Sequence, residues 1–388
     1  MNGNIPILRV LGIPIKVNVS WFITLAFITT MLALRFYPEV IPPGSKYRED
    51  EAVHWAMALA SGLVFFASIV AHELAHSVVA RKQGIPVRGI TLFIFGGVAQ
   101  ITAEAKRPLH EFLMAIVGPL TSIALGGVFF GAWFLSGASE KDPVPLVLEW
   151  LFFMNVIVGI FNLAPGFPMD GGRVVRSLLW GISGNFYGAT RWATVLGRSM
   201  GYAMMGLGAL ALLGAFSFVD PWSGIWFLVL GIFLEGSARQ SWTQTQALNT
   251  LGKYNAEDIM SRDLETVYRR ATLSMVRDRS ARRRRFMLFV ADEDDQVLGV
   301  VTEKELASVA AQRRLASTAE DAMLKADRAV TAGPRDDGAK LLQTMEAEEV
   351  WHLPVVAESR VVGVVSKESL LRIIANRLIH RPSLAGQP

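Results

Sequence analysis

The chain has 388 residues, 52% of them hydrophobic and 19% charged, with a formal net charge of +4 and no cysteine. The lack of cysteine excludes disulfides, thiolate metal ligands and a cysteine nucleophile. The excess positive charge suits the basic loops of a membrane protein better than a nucleic-acid binder. The only strong basic run, Arg282–Arg285, leads straight into the apolar Phe286–Val290.

This length suggests two or three domains. Up to about Gln240, apolar runs of membrane-spanning length recur; from about Leu251, charge is dense and apolar runs are short. The expectation is a transmembrane domain over residues 1–240 followed by a soluble one. Met1–Val19 has no clean apolar core with a small-residue cleavage site, so no cleavable signal peptide is expected.

Six membrane helices are expected, at Val17–Leu34, Trp55–Val79, Phe112–Leu135, Leu146–Leu163, Thr194–Phe216 and Trp222–Leu234, the last being short. Arg81, Lys82, Arg88, Lys106 and Arg107 follow the second segment, and Arg173, Arg176, Arg191 and Arg198 follow the fourth. The alternate loops are poorer in basic residues, so the basic ones are expected to face the cytoplasm. Six spans then leave both termini and the soluble domain on the cytoplasmic side.

The second segment contains His72-Glu73-Leu74-Ala75-His76. Ionisable residues inside a membrane helix point to function. Positions i and i+4 share a helix face, so His72 and His76 can direct two imidazoles at one metal. Glu73 stands where it can take a proton from a water on that metal. The alternative is a buried polar cluster that holds helices together.

Arg88–Thr102 is rich in β-branched and aromatic residues around Gly96-Gly97, a strand–turn–strand signal. An exposed strand edge beside a metal site can pair with an extended peptide. The alternative is an ordinary amphipathic hairpin at the membrane surface.

Near the end of the fourth segment, Pro165 and Pro168 must break the helix, and Gly166, Gly171 and Gly172 permit tight turns. Asp170 is the single carboxylate of this stretch. Irregular backbone at membrane depth is tolerated where it lines a polar cavity. Asp170 is thus a candidate third ligand beside the two histidines, alternatively a cap for a helix starting at Gly171 or Gly172, or both.

The pair His72-Glu73-x-x-His76 and Asn162-x-x-Pro165-x-x-Pro168-x-Asp170-Gly171, with the Gly96-Gly97-Val98-Ala99 element between them, resembles the site-2 protease family of intramembrane zinc metalloproteases (M50-type). The resemblance covers the first 240 residues. It implies a polytopic helical fold with a membrane-associated β-hairpin. It also implies one Zn2+ on His72, His76 and Asp170, Glu73 as general base, and Asn162 assisting near the scissile carbonyl. The implied substrate is a single-span membrane protein or membrane peptide within the lipid bilayer. His54, His110, His352 and His380 lack partner spacing and are expected to bind no metal. Glu104 reads as an interfacial charge, and Asn155 as a hydrogen-bonding partner of a neighbouring helix. The Gly and Ala runs within Gly118–Ala132 and Gly197–Ala215 suit close helix packing.

Beyond Asn255 the chain repeats itself. Ala256-Glu-Asp-Ile-Met260 returns as Ala319-Glu-Asp-Ala-Met323, and Val297-Leu-Gly-Val-Val-Thr302 as Val361-Val-Gly-Val-Val-Ser366. Two such supersecondary units can bury each other's apolar faces. The repeat resembles a tandem pair of CBS modules, over 254–312 and 318–378, which form a compact α/β unit. By that resemblance Thr302 and Glu305 would contact the ribose of an adenine nucleotide. In the second half Ser366 is followed by Ser369, so the acid is missing. A dimerisation or docking module with no ligand is the alternative.

Together these readings describe an intramembrane zinc endopeptidase with a regulatory CBS tail in the cell membrane. The rival reading is a CBS-regulated membrane transporter, or a zinc-binding membrane scaffold without proteolytic activity. A transporter needs no general base beside two histidines, and no internal repeat is evident among the membrane segments.

Overall fold

The computed structural model describes residues 4–379 apart from 95, 102, 140, 216–220, 284–286, 294–296, 303–304, 307–316, 327 and 359. Arg284, Arg285, Phe286, Phe216, Thr102 and His380 therefore lie outside the described residues. The chain divides into two compact units, Met1–Gln244 and Thr245–Pro388.

The first unit opens with two strands not expected from the sequence, β1 (Asn4–Val10) and β2 (Ile13–Asn18). In β2, Ile13, Ile15 and Val17 alternate inward at 1–3% exposure, the period of two expected of a half-buried strand. Asn18 ends β2 and accepts a hydrogen bond from the Ser20 amide, capping α1 (Val19–Met31). A π-helical turn (Leu32–Phe36) and α2 (Tyr37–Val40) continue the same apolar column.

The 32-residue α3 (Glu51–Lys82) starts at Asp50, which accepts from the Val53 amide, and ends on Arg81 and Lys82, cations suited to a helix C-terminus. β3 (Val87–Phe93) and β4 (Gly96–Ile101) follow as an antiparallel hairpin in register Phe93↔Gly96, Leu92↔Gly97 and Ile90↔Ala99. Gly96 and Gly97 thus open β4 rather than forming the turn. The reason is spatial: a Cβ at Gly97 would lie 2.7 Å from the Glu73 Cγ, so α3 packs directly on the strand there. The four strands form one sheet in the order β1-β2-β3-β4, with β2 and β3 parallel and β4 at an edge.

Four helices follow, α4 (Pro108–Leu135), α5 (Pro143–Asn162), α6 (Asp170–Ser183) and α7 (Phe186–Leu212), and then α8 (Pro221–Leu251), whose last residues from Thr245 belong to the second unit. Among the described residues, five helices are long and apolar enough to cross a membrane: Val19–Val40, Glu51–Lys82, Pro108–Leu135, Pro143–Asn162 and Phe186–Leu212. The sixth expected segment is the apolar first half of α8, whose second half is polar. It packs on α7 with almost no space between backbones. A Cβ at Gly208 would lie 2.6 Å from the Gly224 carbonyl oxygen, and one at Gly231 2.7 Å from that of Gly201. Arg173, Arg176, Arg191 and Arg198, expected in a loop, lie on α6 and α7 instead. Asn155, expected to bond a neighbouring helix, donates to the Leu151 carbonyl of its own helix at 2.8 Å.

The second unit contains α9 (Ala256–Ile259), β5 (Thr266–Tyr268), α10 (Leu273–Arg283), β6 (Met287–Ala291), β7 (Val297–Thr302), α11 (Ala319–Ala322), β8 (Leu324–Lys325), α12 (Gly338–Ala347), β9 (His352–Ala357), β10 (Arg360–Ser366) and α13 (Lys367–Ile379). The two Ala-Glu-Asp-x-Met copies are the short helices α9 and α11, each with a capping box, Asn255 with Asp258 and Thr318 with Asp321. Their docking is crossed. Ala256 and Met260 complete the core built from Leu341, Leu353, Val355 and Val365 of the second half. Ala319 and Met323 complete that of Val267, Leu288, Val290 and Val301 in the first. Neither half closes its own core, which is why the repeat comes in two copies.

Candidate metal centre

The site sits where α3, α4 and the start of α6 meet. His72 and His76 lie on one face of α3, each 4% exposed. Their Nε2 atoms are 3.1 Å apart, and each is 3.1 Å from Asp170 Oδ2. These three residues form the one group of potential metal-ligating side chains found among the described residues. Asp170 is the first residue of α6, and Met169 precedes it as the helix's N-cap without a side-chain capping bond. The helix therefore begins before Gly171 or Gly172, the starts the capping alternative supposed, and Asp170 is not its N-cap.

The far nitrogens of both rings are held by α4. His76 Nδ1 lies 2.6 Å from the Met114 carbonyl oxygen and His72 Nδ1 2.9 Å from Ser122 Oγ. A carbonyl only accepts, so His76 carries a proton on Nδ1, which leaves Nε2 as the nitrogen able to ligate a metal. A carboxylate oxygen and two imidazole nitrogens this close can share a proton or, with both Nε2 atoms deprotonated, hold a metal cation among them. Tetrahedral zinc, with bonds of about 2.0–2.1 Å, holds its ligands roughly 3.3 Å apart. The residues present thus fit a zinc ion in donor type and in spacing. Gly118, between Met114 and Ser122 on α4, leaves the room: a Cβ there would lie 2.1 Å from His76 Nε2 and 2.7 Å from His72 Nε2.

Glu73 stands beside this group. Its Oε2 accepts from the Ala99 amide of β4 at 3.1 Å, so the edge strand and the carboxylate are in direct contact. The segment from Asn162 to Asp170 is held equally closely. The Phe167 amide donates to the Ala193 carbonyl of α7 at 3.2 Å, and a Cβ at Gly197 would lie 2.0 Å from the Phe167 carbonyl oxygen. Gly171 and Gly172 let the chain fold back on itself, since Cβ atoms there would lie 2.2 Å from the Leu163 carbonyl oxygen and 2.4 Å from the Gly166 carbonyl carbon.

The structure brings His72, His76 and Asp170 together, with Glu73 next to them. Asn162 is the last residue of α5, half-buried, and its side chain forms no hydrogen bond with the described residues. His54 bonds the Tyr47 carbonyl. Met114, Gly118 and Ser122 do not stand out as site residues in the sequence, and Gly97 and Ala99 do so only as part of the hairpin. Met114 and Ala99 act through backbone atoms and leave no residue signature; Gly118 and Gly97 act by lacking a side chain. In the second unit, Thr302 and Glu305 are side by side: the Thr302 amide donates to Glu305 Oε2 at 3.1 Å, and its hydroxyl bonds the same oxygen. Ser366 and Ser369 make the corresponding turn, with the Ser369 amide on Ser366 Oγ at 3.1 Å.

Paired imidazoles, a carboxylate and an adjacent glutamate on apolar helices of membrane-spanning length are the layout of a membrane-embedded metallopeptidase. Comparison with known sequences agrees. The profile of peptidase family M50 matches residues 60–145 and 137–206, and that of the CBS domain matches 256–312 and 319–376. The chain is 30% identical over 384 residues to the zinc metalloprotease candidate sll0528 of Synechocystis sp., covering 96% of each chain. It is 32% identical over 378 residues to the zinc metalloprotease candidate Rip3 of Mycobacterium tuberculosis, covering 96% of this chain and 93% of that one. The chain belongs to peptidase family M50 and carries two CBS domains. Among solved structures, a site-2 protease from Methanocaldococcus jannaschii aligns with 62% of this chain and 95% of its own, at 27% identity and a TM-score of 0.41.

Proposed function

We propose that this protein is an intramembrane zinc endopeptidase that cuts a peptide bond within or next to a substrate's transmembrane segment. The observation that carries this reading is the convergence of His72, His76 and Asp170 on one point beside Glu73, on a helix long and apolar enough to span a bilayer. In this reading His72, His76 and Asp170 hold the zinc. When bound, that zinc supplies the Lewis acidity that makes a water nucleophilic near neutral pH. Glu73 takes the proton of the attacking water at its carboxylate and returns it to the leaving amine. Ser122 and the Met114 carbonyl fix the two rings so that Nε2, rather than Nδ1, faces the reacting centre. The Asn162 amide, at the end of α5, donates to the oxygen of the scissile carbonyl.

A peptide bond inside an intact helix is covered by its neighbours, so the substrate has to be extended at the cut. The outer edge of β4 suits this role: among the described residues no further strand pairs with it, and its Ala99 amide, bonded to Glu73, would be released to the substrate backbone. A substrate segment paired along this edge would lie beside the base. We further assign six membrane crossings, the sixth made by the first half of α8. The basic linker after α3, α6 with its arginines and both termini face the cytoplasm, and with them the CBS pair. That pair regulates the protease through an adenine nucleotide at Thr302 and Glu305 or through dimerisation.

The test is cleavage of single-span peptides by the purified protein in lipid, wild type against Glu73→Gln. Cleavage by the wild type alone, abolished by chelation and restored by zinc, is expected. Equal cleavage by both proteins would refute the role of Glu73. A Glu73→Gln protein that still moves solutes across vesicles as the wild type does would favour the transporter reading.

A further inference from the structure

For His72, His76 and Asp170 to converge, two helices must be held in register. One is α4, whose Met114 carbonyl and Ser122 hydroxyl hold the imidazoles; the other is α6, which begins at Asp170. A buried ion pair joins them. Glu111, three residues before Met114 on α4, is 1% exposed, and Arg176 on α6 is 6% exposed. Arg176 Nε donates to Glu111 Oε1 at 2.7 Å, and Nη2 bonds the same oxygen.

The guanidinium reaches further. Its Nη1 lies 3.7 Å from Glu104, in the segment after β4. Its centre lies 5.2 Å from the ring of Phe167, three residues before Asp170, and 4.6 Å from that of Phe186, the first residue of α7. Arg173 Nε stands 3.8 Å from Glu111. One side chain therefore grips α4, the segment after β4, the loop leading into Asp170 and the start of α7. A buried ion pair is seldom retained for stability alone, since apolar replacements are often as stable. Orientation of a helix whose first residue has a job is a reason to keep it.

We infer that Arg176, held by Glu111, is a positioning residue that sets Asp170 against His72 and His76. This rests on the reading of those three residues as a metal site. It touches no reacting atom and acts through the placement of α6.

The test uses the full-length protein in lipid nanodiscs titrated with Co2+. The absorption of bound cobalt reports ligand geometry, and its affinity is read by chelator competition. The wild type is expected to give a four-coordinate spectrum. Arg176→Gln and Glu111→Gln are each expected to bind cobalt roughly tenfold or more weakly, with an altered spectrum. Arg176→Lys keeps the charge but loses the planar fork and the ring stacking, and is expected to fall short of wild-type affinity too. In an Asp170→Asn background, Glu111→Gln is expected to cost no further affinity, because the pair acts through Asp170.

Wild-type affinity and spectrum in the folded single variants would overturn the proposal. So would a full additional loss in the Asp170→Asn background, which would mark a merely structural role. If the single variants do not fold, Glu111→Leu combined with Arg176→Met removes both charges and is expected to fold while binding cobalt weakly. Wild-type affinity in that double variant would again overturn the inference. A wild type that binds no cobalt sinks the metal-site reading itself, and the proposal with it.

Discussion

Gly118→Ala is the smallest change that reaches the centre of this site. The added methyl would lie 2.1 Å from His76 Nε2 and 2.7 Å from His72 Nε2, where ordinary contact begins at 3.4 Å. Something must move by about 1.3 Å, either the His76 ring or the α4 backbone, and close packing leaves little slack. If the ring moves, Nδ1 loses the Met114 carbonyl; if α4 moves, both imidazoles lose their partners. Overpacking costs about 1–3 kcal/mol, and replacing Gly by Ala within a helix returns roughly 1 kcal/mol. Net stability should therefore fall by no more than about 2 kcal/mol. The site should suffer far more, since a displacement near 1 Å lowers turnover about 100-fold. Gly127 and Gly131 on the same helix provide the controls, because a Cβ at either meets nothing within 4 Å. Zinc content, chelator competition and peptide cleavage in lipid would be measured for all three variants. Gly127→Ala and Gly131→Ala should match the wild type, while Gly118→Ala loses metal and activity. Wild-type metal affinity and cleavage in Gly118→Ala would refute the assignment of the space between the imidazoles to the metal.

Other perturbations separate the remaining parts. Ser122→Ala removes the partner of His72 Nδ1 and should weaken zinc binding by about 10- to 100-fold in chelator competition without unfolding the helices; unchanged affinity would mean that Ser122 does not orient the ring. Ala99→Pro deletes the amide that faces Glu73 and should slow cleavage while leaving zinc content intact, and undiminished cleavage would exclude substrate pairing along β4. In the second unit, burial holds His352 below the ordinary histidine range, with Glu368 opposing the shift. The unfolded chain then binds the extra proton more readily than the folded one. The stability owed to neutral His352 is therefore present above about pH 6.5 and lost as pH falls below it. Hydrogen exchange across β9 and β10 should accelerate between about pH 7.5 and about pH 5.5 beyond its intrinsic pH dependence, and His352→Gln should flatten that response. Equal pH dependence in both proteins would count against a role for His352.

Local periodicity makes much of this protein legible in its sequence. The i, i+4 spacing of His72 and His76 is a property of one helix, so their shared face follows from sequence. Pro165 and Pro168 announce the helix break, and the recurrence of Ala-Glu-Asp-x-Met announces the second CBS copy. The β1–β2 hairpin escapes notice although Ile13, Ile15 and Val17 alternate, because the run is short and merges into the apolar start of α1.

What tertiary structure alone decided is everything that crosses between elements. Met114 and Ser122 lie 38 and 50 residues from the histidines they hold, and one of them contributes only a backbone oxygen. Arg176 reads in sequence as one more basic loop residue, yet it is buried against Glu111, 65 residues away. Gly118 reads as helix packing, but its missing side chain is the space that the imidazoles face. Sequence reports which groups a helix presents and at what spacing. It is silent on which backbone carbonyl, which empty Cβ position and which opposite charge will arrive from another helix, because those depend on how the elements dock.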